Sequence, residues 1–494
     1  EVLGKLLTEA KWDLAEAARL FCTTHQCSPA HPDEGGSPSD PTTPPSSAAS
    51  EPNSPQEGGG PETASRTDSS GDGSHQSNGR RFAEEDSTMD SWKRHKKHIF
   101  VLSSAGKPIY SRYGSEDKLS GTMGVLSALV SFGLHDDDAL RSIEFGDHLI
   151  VFCVKGPFYL VSASRTGEPQ ALILRNLEYV YNQILSILTG NVVSILSSRP
   201  NFDIRHLLGG CEKVLDSITS LMDHDLGLSC DAIHCLRFHK DKRQQIGNII
   251  QTKKCADLLF GIVFCRSQLI QLVRPRKHII APSDLHLIFN FINSSSSFRT
   301  AESWTPICLP QFNSRGYLHA YVCFLSEDVC LVLISAKPES FYEMSACKGE
   351  IVAAFETAGL HKALEDAVTK SSYNMCDIQI QSASIPLHFV YISLLTRQIT
   401  HPAYPSPYTS RKERKRLFRS YQQIHHQVTS QKQRLHFYVG ERESILAIST
   451  PTFKLFTTFG PLELKTNALQ ASSNLLRWIK QEESSLFILN SPVF

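Results

Sequence analysis

The order of the predicted strands and helices most constrains how this chain can fold. Apolar periodicity predicts a hairpin, an amphipathic helix, three further strands and two helices. The strands are predicted at 98–103, 109–113, 140–145, 149–155 and 158–164, and the helices at 119–130, 169–189 and 203–222. This β-β-α-β-β-β-α-α order is typical of a five-stranded antiparallel sheet with one helix on one face and two on the other.

A similar order of elements recurs twice along the chain. The second set has strands at 255–273, 305–309, 318–325 and 329–335 and helices at 283–292, 339–357 and 361–369. The third has strands at 387–395, 434–439, 444–449 and 453–459 and helices at 410–427 and 463–483. Supersecondary repeats about 130–150 residues apart indicate three domains of one kind. We therefore predict an α+β protein with domains at 95–225, 253–370 and 384–490.

The first 94 residues differ in composition from the rest. Residues 1–22 carry leucines spaced for one helix face, which predicts a short amphipathic helix. Residues 23–94 are rich in Ser, Pro, Gly and acidic side chains and are predicted to be a disordered tail. Residues 23–91 carry 12 acidic and 3 basic side chains, whereas residues 92–494 carry 34 acidic and 44 basic ones. An acidic tail that folds back on a basic body would restrict access to it, so we expect deletion of residues 1–91 to raise activity on liposomes.

Several classes of protein are disfavoured by what the sequence lacks. The sequence contains no run of about 18 apolar residues, the length that a membrane-spanning helix needs, and its start has no signal-peptide pattern. The 13 cysteines are an odd number and include no C-x-x-C pair, which is typical of the cytosol. Cys230, His234 and Cys235 lie close together but lack a second ligand pair, so a zinc site is disfavoured. We expect no metal, no cofactor and no covalent chemistry.

The stretch AGKPIYSRYG after the first strand invites a nucleotide-binding interpretation. A phosphate loop needs G-x-x-x-x-G-K-[ST], but no glycine lies five residues before Gly106. Pro108 occupies the position of the required hydroxyl and also opposes the start of a helix. A hairpin turn at 105–107 is therefore the favoured interpretation.

Four stretches resemble the SAND/Mon family of vacuolar fusion proteins. They are KKHIFVLSSAGKPIYSRYGSEDKL (96–119), SWTPICLPQFN (303–313), LHAYVCF (318–324) and LLRWIKQEESSLFI (475–488). The resemblance covers about 95–489 and implies three longin-like domains. Segments 367–386 and 395–410 depart from the family pattern, which leaves the pairing of the third domain's first strands open.

The resemblance also implies a function and partners. Such a chain would pair with a Ccz-type three-longin subunit in a guanine-nucleotide exchange factor for a late-endosomal or vacuolar Rab GTPase (Rab-seven class). It would act in early-to-late endosome conversion, vesicle-mediated protein transport, autophagy and vacuole or lysosome fusion. An early-endosomal Rab would recruit it from the cytosol to an anionic phosphoinositide membrane, where it would bind peripherally.

By the same resemblance, the Rab- and partner-binding surface is expected on the first domain. The candidates on the hairpin and the helix after it are Lys107, Tyr110, Arg112, Tyr113, Glu116, Asp117, Lys118, Ser120 and Met123. Alternate strand residues must pack in the core, so some of these side chains are expected to be structural. The small residues Ser120, Gly121 and Gly124 would permit close approach of a partner helix.

A second candidate surface is the basic helix in the third domain. Its cationic residues are Arg411, Lys412, Arg414, Lys415, Arg416 and Arg419. A basic face behind an apolar stripe suits an anionic membrane, although a solvated helix face is the plainer alternative. A nucleic-acid surface would need exposed aromatic residues among the charges, which this stretch lacks. The competing function is a longin scaffold or tether that binds Rabs and membrane without catalysing exchange.

Overall fold

The computed structural model describes residues 82–133, 140–370, 372–378, 384–491 and 493. The predicted amphipathic helix at 1–22 and most of the predicted tail lie outside these residues. Residues 82–94, which we assigned to the tail, pack against the first domain. The short helix Asp90–Arg94 buries Trp92 to 1% exposure beside Phe100. The folded body therefore begins before residue 95.

The first sheet has the predicted strand content. Strands β1 to β5 run Lys97–Ser103, Pro108–Ser111, Ser142–Phe145, His148–Lys155 and Phe158–Ser164. Their spatial order is β2-β1-β5-β4-β3, and every neighbouring pair is antiparallel. Gly106 closes the hairpin at φ +77° and donates its N–H to the Ser103 carbonyl. The predicted hairpin turn is confirmed.

Successive residues of β1 point to opposite sides of the sheet, and apolar residues lie on both sides. Helices therefore cover both faces. Phe100 and Leu102 pack under the helix Ser120–Gly133, whose predicted apolar stripe is buried. Ile99 and Val101 pack against the helix Gln170–Leu188 on the other face. This arrangement leaves the outer side of the helix Ser120–Gly133 at the protein surface.

The helices after β5 differ from the prediction. An additional helix, Asn191–Ser198, follows Gln170–Leu188. The single helix predicted at 203–222 is instead two helices, Arg205–Leu208 and Glu212–Leu221. Gly209 and Gly210 separate them, and Gly210 has φ +84°, which cannot continue a right-handed helix.

The second sheet follows a linking segment that the sequence analysis did not assign. This segment contains the short helix Leu226–Cys230, strand β6 (Ile233–His234) and the helix Lys240–Lys253. Strands β7 to β11 then run Leu258–Cys265, Gln268–Val273, Ser303–Leu309, Ser314–Phe324 and Val329–Ser335, in the order β8-β7-β11-β10-β9. The helices of this unit are Pro282–Ser294, Ser297–Thr300, Pro310–Asn313, Phe341–Thr357 and Leu360–Thr369.

The third sheet shows how the first strands of the third domain pair, which the sequence left open. Strands β12 to β16 run His388–Ser393, Gln398–Thr400, Leu435–Val439, Ser444–Ser449 and Phe453–Phe459. Their order is β14-β15-β16-β12-β13, and β6 extends the sheet by pairing in parallel with β13. The helices are Arg411–Ser430, Lys465–Gln481 and Glu483–Leu486, after a 3-10 turn at Met375–Asp377. The first two strands of this domain therefore pair with each other.

Polar groups buried between the domains hold them together. Asn290 of the second domain donates to Gln183 and to the Val214 carbonyl of the first, both at 2.9 Å. Arg243 is 4% exposed and donates to carbonyls of the third domain's C-terminal segment, including Ser484 and Phe487. A buried hydrogen-bonded group fixes the relative position of its partners because leaving it unpaired is costly.

Candidate partner-binding and membrane-binding surfaces

The hairpin places its candidate residues at different depths. Tyr110 is 1% exposed and donates its hydroxyl proton to Asp216 at 2.7 Å. Arg112 is 9% exposed and pairs with Asp223 at 2.9 Å. Lys107 is partly exposed and donates its ammonium to the Asn201 carbonyl. Tyr110 and Arg112 are therefore buried beneath the candidate surface of the first domain and are not exposed on it.

The loop between the hairpin and the helix is more accessible. Asp117 and Lys118 are exposed and form ion pairs at 2.7 Å with Arg205 and Glu84, respectively. Such exposed pairs are worth little energetically, so either residue can exchange its partner for one on another protein.

The other two loop candidates have structural contacts. Tyr113 stacks on His95 with 3.7 Å between ring centroids and meets the edge of Phe82. Glu116 accepts the backbone N–H of Ser111 at 2.8 Å, which ties the loop to β2. The Tyr113 contacts hold the loop against residues 82–95 of the same chain, and the Glu116 hydrogen bond holds it against the hairpin.

The helix Ser120–Gly133 has one small-residue face at the surface. Ser120, Gly121, Gly124 and Ala128 are exposed, whereas Met123 is fully buried in the core. A Cβ atom added at Gly121 or Gly124 would meet nothing within 4 Å. The fold of this chain therefore does not require glycine at these two positions. We call these four exposed residues the small-residue face.

The basic helix Arg411–Ser430 begins where Ser410 accepts the backbone N–H of Glu413 at 3.2 Å. Its apolar stripe is buried, and Leu417 is fully covered. Arg416 is held by Glu413 at 2.8 Å and by the buried carboxylate of Glu443. These two carboxylates raise the pKa of the Arg416 guanidinium. Arg416 is thus part of the domain's internal ion network.

The remaining basic residues of this helix differ in accessibility. Arg411, Lys412 and Arg414 are exposed, and Arg419 and Lys415 are partly exposed. Within the part of the chain that the structure describes, only Lys415 of these five forms an ion pair. Four cationic side chains are therefore available to an anionic surface.

Asp223 contacts one residue of each candidate surface. Its carboxylate lies 2.9 Å from Arg112 on the hairpin and 3.5 Å from Lys415 on the basic helix. Burial opposes ionisation of Asp223, but the charges of Arg112, Lys97 and Lys415 lower its pKa to about 2. Asp223 lies 111 and 192 residues from these two partners, so no local sequence pattern indicates its role.

Two findings concern other kinds of site. Among the described residues, no group of three or more His, Cys, Asp or Glu side chains is placed to hold a metal ion. In the same residues, no single helix is long and apolar enough to cross a membrane; Gln170–Leu188 and Asn191–Ser198 pass that test only as a pair bent by 94°.

The sheet order in all three units, with helices on both faces, defines a three-longin protein. Family models agree and match the first, second and third longin domains of FUZ, MON1 and HPS1 at residues 97–218, 256–353 and 387–483.

The similar proteins define the family more closely. The chain is 40% identical to vacuolar fusion protein MON1 homolog A of Gallus gallus over 83% of this chain and 75% of that protein. It is 40% identical to MON1 homolog A of Homo sapiens over 82% of this chain and 62% of that protein. It is 39% identical to Protein SAND of Takifugu rubripes over 83% of this chain and 79% of that protein. The chain belongs to the MON1/SAND family.

Proposed function

We propose that this chain acts in vacuolar fusion and membrane trafficking as one subunit of a guanine-nucleotide exchange factor. Its partner would be a Ccz-type three-longin subunit, and its substrate a late-endosomal or vacuolar Rab GTPase. The names of the relatives support the trafficking role. The observation that carries the partner proposal is the small-residue face of Ser120–Gly133, where a second helix can approach the backbone closely.

An exchange factor of this kind works by differential binding. It binds the nucleotide-free GTPase more tightly than the nucleotide-bound one, so by linkage it lowers the affinity for nucleotide. Such a factor needs a surface that holds the GTPase loops open, and no bond in the substrate is made or broken. Lys107, Asp117 and Lys118 offer exposed or partly exposed charges beside the small-residue face for that contact.

Membrane attachment would use the basic helix. Arg411, Lys412, Arg414 and Arg419 would contact anionic lipids, and each close basic residue contributes about 1 kcal/mol at such a surface. An early-endosomal Rab would add a second attachment.

The test is release of a fluorescent GDP analogue from the late-endosomal Rab, with this chain co-purified with its Ccz-type partner. Gly124→Arg places a long side chain on the small-residue face and should abolish assembly and acceleration. Gly349→Arg is the matched control, because Gly349 is also an exposed helix glycine with nothing within 4 Å of an added Cβ.

Charge reversal separates the Rab contact from assembly. Lys107→Glu with Lys118→Glu should slow release while leaving the heterodimer intact. Arg112 is unsuitable for this purpose because it is buried against Asp223. A complex that binds the Rab without accelerating release would favour the alternative function, a scaffold or tether.

A further inference from the structure

A cavity of about 260 Å³ lies where the first domain, the linking segment and the third domain meet. Its walls come from the helices Gln170–Leu188, Leu226–Cys230 and Arg411–Ser430, the last through residues 421–430 only. The apolar and aromatic lining side chains are Ala171, Leu172, Leu226, Val390, Tyr421 and Phe456. The volume lies just below the usual range for small-molecule sites and suits one compact ligand.

The polar lining of this cavity carries positive charge. Arg175 lines it and donates one guanidinium N–H to the Ser229 carbonyl at 2.6 Å. Lys454 contacts the lining residues His425 and Thr429, with Nζ 3.3 Å from the imidazole Nε2 and 2.7 Å from the hydroxyl. Within the described residues, neither Arg175 nor Lys454 forms an ion pair, and the lining includes no carboxylate.

Two titratable lining groups add no negative charge. Burial and the charges of Lys454 and Arg175 lower the pKa of His425 to about 3, so its imidazole is neutral. Because the Lys454 ammonium can only donate, His425 accepts at Nε2 and carries its proton on Nδ1. In the part of the chain that the structure describes, no hydrogen bond engages this Nδ1–H. Burial raises the pKa of the Cys230 thiol to about 12.

Two carboxylates act on Cys230 from outside the cavity lining. Asp225 lies 3.2 Å from His234 and also accepts the backbone N–H of Gly227 at 2.7 Å. Asp231 lies 3.3 Å from Arg397. Both carboxylates are therefore engaged by other partners and do not neutralise the cations beside the cavity.

These features favour a carboxylate carried on a compact apolar group. The carboxylate would accept from the Arg175 guanidinium, which matches its paired oxygens, and from the Nδ1–H of His425. The apolar body would pack against the aliphatic and aromatic walls. A phosphate monoester brings up to two charges, which a largely apolar cavity with one lining guanidinium compensates poorly.

We propose that this cavity binds a compact apolar carboxylate and thereby strengthens the junction of the first and third domains. The carboxylate belongs either to a free small molecule or to the C-terminal residue of a polypeptide. A ligand bound there would contact the walls from all three segments, so opening of the junction would become less favourable. The proposal depends neither on nucleotide exchange nor on membrane attachment.

The first experiment measures the binding of phenylacetate to the full chain by isothermal titration calorimetry at constant ionic strength. Phenylacetamide is the matched neutral probe, since it has the same apolar body without the charge. Phenylacetate should bind about tenfold or more tightly than phenylacetamide, because charge-assisted hydrogen bonds are the stronger ones. Inorganic phosphate should not displace phenylacetate. Equal affinities for the two aromatic probes, no binding of either, or displacement by phosphate would overturn the proposal.

Three variants locate the binding within the chain. Arg175→Met keeps an unbranched side chain but removes the charge, and should lower phenylacetate binding to the level of phenylacetamide. Ala171→Phe fills the cavity from an exposed helix position and should abolish binding. Leu174→Phe is its matched control, because Leu174 is an exposed residue of the same helix that does not line the cavity. Equal binding by the Ala171 and Leu174 variants would reject this site.

Hydrogen exchange tests the effect on the domain junction. Amides of Leu226–Cys230 should exchange more slowly with phenylacetate in the unmodified chain and should not respond in Ala171→Phe. Binding without slower exchange would overturn the proposed effect on the junction.

A last arm distinguishes the sources of the carboxylate. The tripeptide Gly-Gly-Phe with a free C-terminal carboxylate is compared with its amidated form and with phenylacetate. Binding of the free peptide that exceeds both would assign the site to polypeptide C-termini. Binding of phenylacetate alone would assign it to free small acids.

Discussion

The ion pair between Arg112 and Asp223 provides a quantitative test of the first domain. Asp223 has a pKa of about 2, compared with the ordinary value of 3.8. A difference of nearly two pKa units corresponds to about 2.5 kcal/mol of stability in the ionised state. Asp223→Asn should remove this contribution and leave the buried Arg112 guanidinium without its counter-charge.

The sign of the pH dependence follows from the lowered pKa. The contribution is fully present above the unfolded-state value near 3.8 and is lost as the pH falls through the folded-state value near 2. The difference in urea stability between Asp223→Asn and the unmodified chain should therefore be constant above about pH 5 and shrink below about pH 4.

Amide hydrogen exchange locates the effect within the chain. At pH 7, amides of Lys97–Ser103, Pro108–Ser111 and Glu212–Leu221 that exchange by opening of this region should exchange about 50- to 100-fold faster in Asp223→Asn. Asp117→Asn is the control, because it breaks an ion pair whose carboxylate is 85% exposed and should change exchange only slightly.

A double variant completes the test of the buried pair. Arg112→Met with Asp223→Asn should recover part of the loss, since no buried charge then remains unpaired. Equal exchange rates for the Asp223 and Asp117 variants, or strict additivity in the double variant, would refute the reasoning.

Three further predictions concern other regions. Gly124→Ala should raise the thermal stability of the isolated chain by about 0.5–1 kcal/mol in calorimetry, because Gly124 is helical and an added Cβ meets nothing. Burial raises the pKa of Asp284 to about 6, so the stability that its protonated carboxyl contributes is lost as the pH rises from about 4 to 6. Urea titrations at pH 4 and pH 7 should show this loss of stability in the unmodified chain, and Asp284→Asn should abolish it. Deletion of residues 1–81, which spares the packed Trp92, should raise nucleotide exchange on anionic liposomes; unchanged exchange would exclude inhibition by the acidic tail.

Much of the fold could be predicted from local patterns. Leu119, Met123, Leu126 and Val130 recur at helical spacing, and all four are buried on one face. The hairpin at Gly106 was predictable because its turn residues and flanking apolar runs are adjacent in sequence. The helix Lys240–Lys253 was missed since Ile246 and Ile250 are its only strongly buried apolar side chains.

The sequence by itself determined the three repeated units, the helix with its small residues and the basic helix, because each depends on residues close together in the chain. Only the tertiary structure decided which candidate residues face outward, burying Tyr110 and Met123 and leaving Lys118 and Ser120 exposed. It alone brought Arg112 and Lys415 to Asp223. Periodicity reports which face of an element is apolar, whereas a contact between distant segments depends on how whole domains pack.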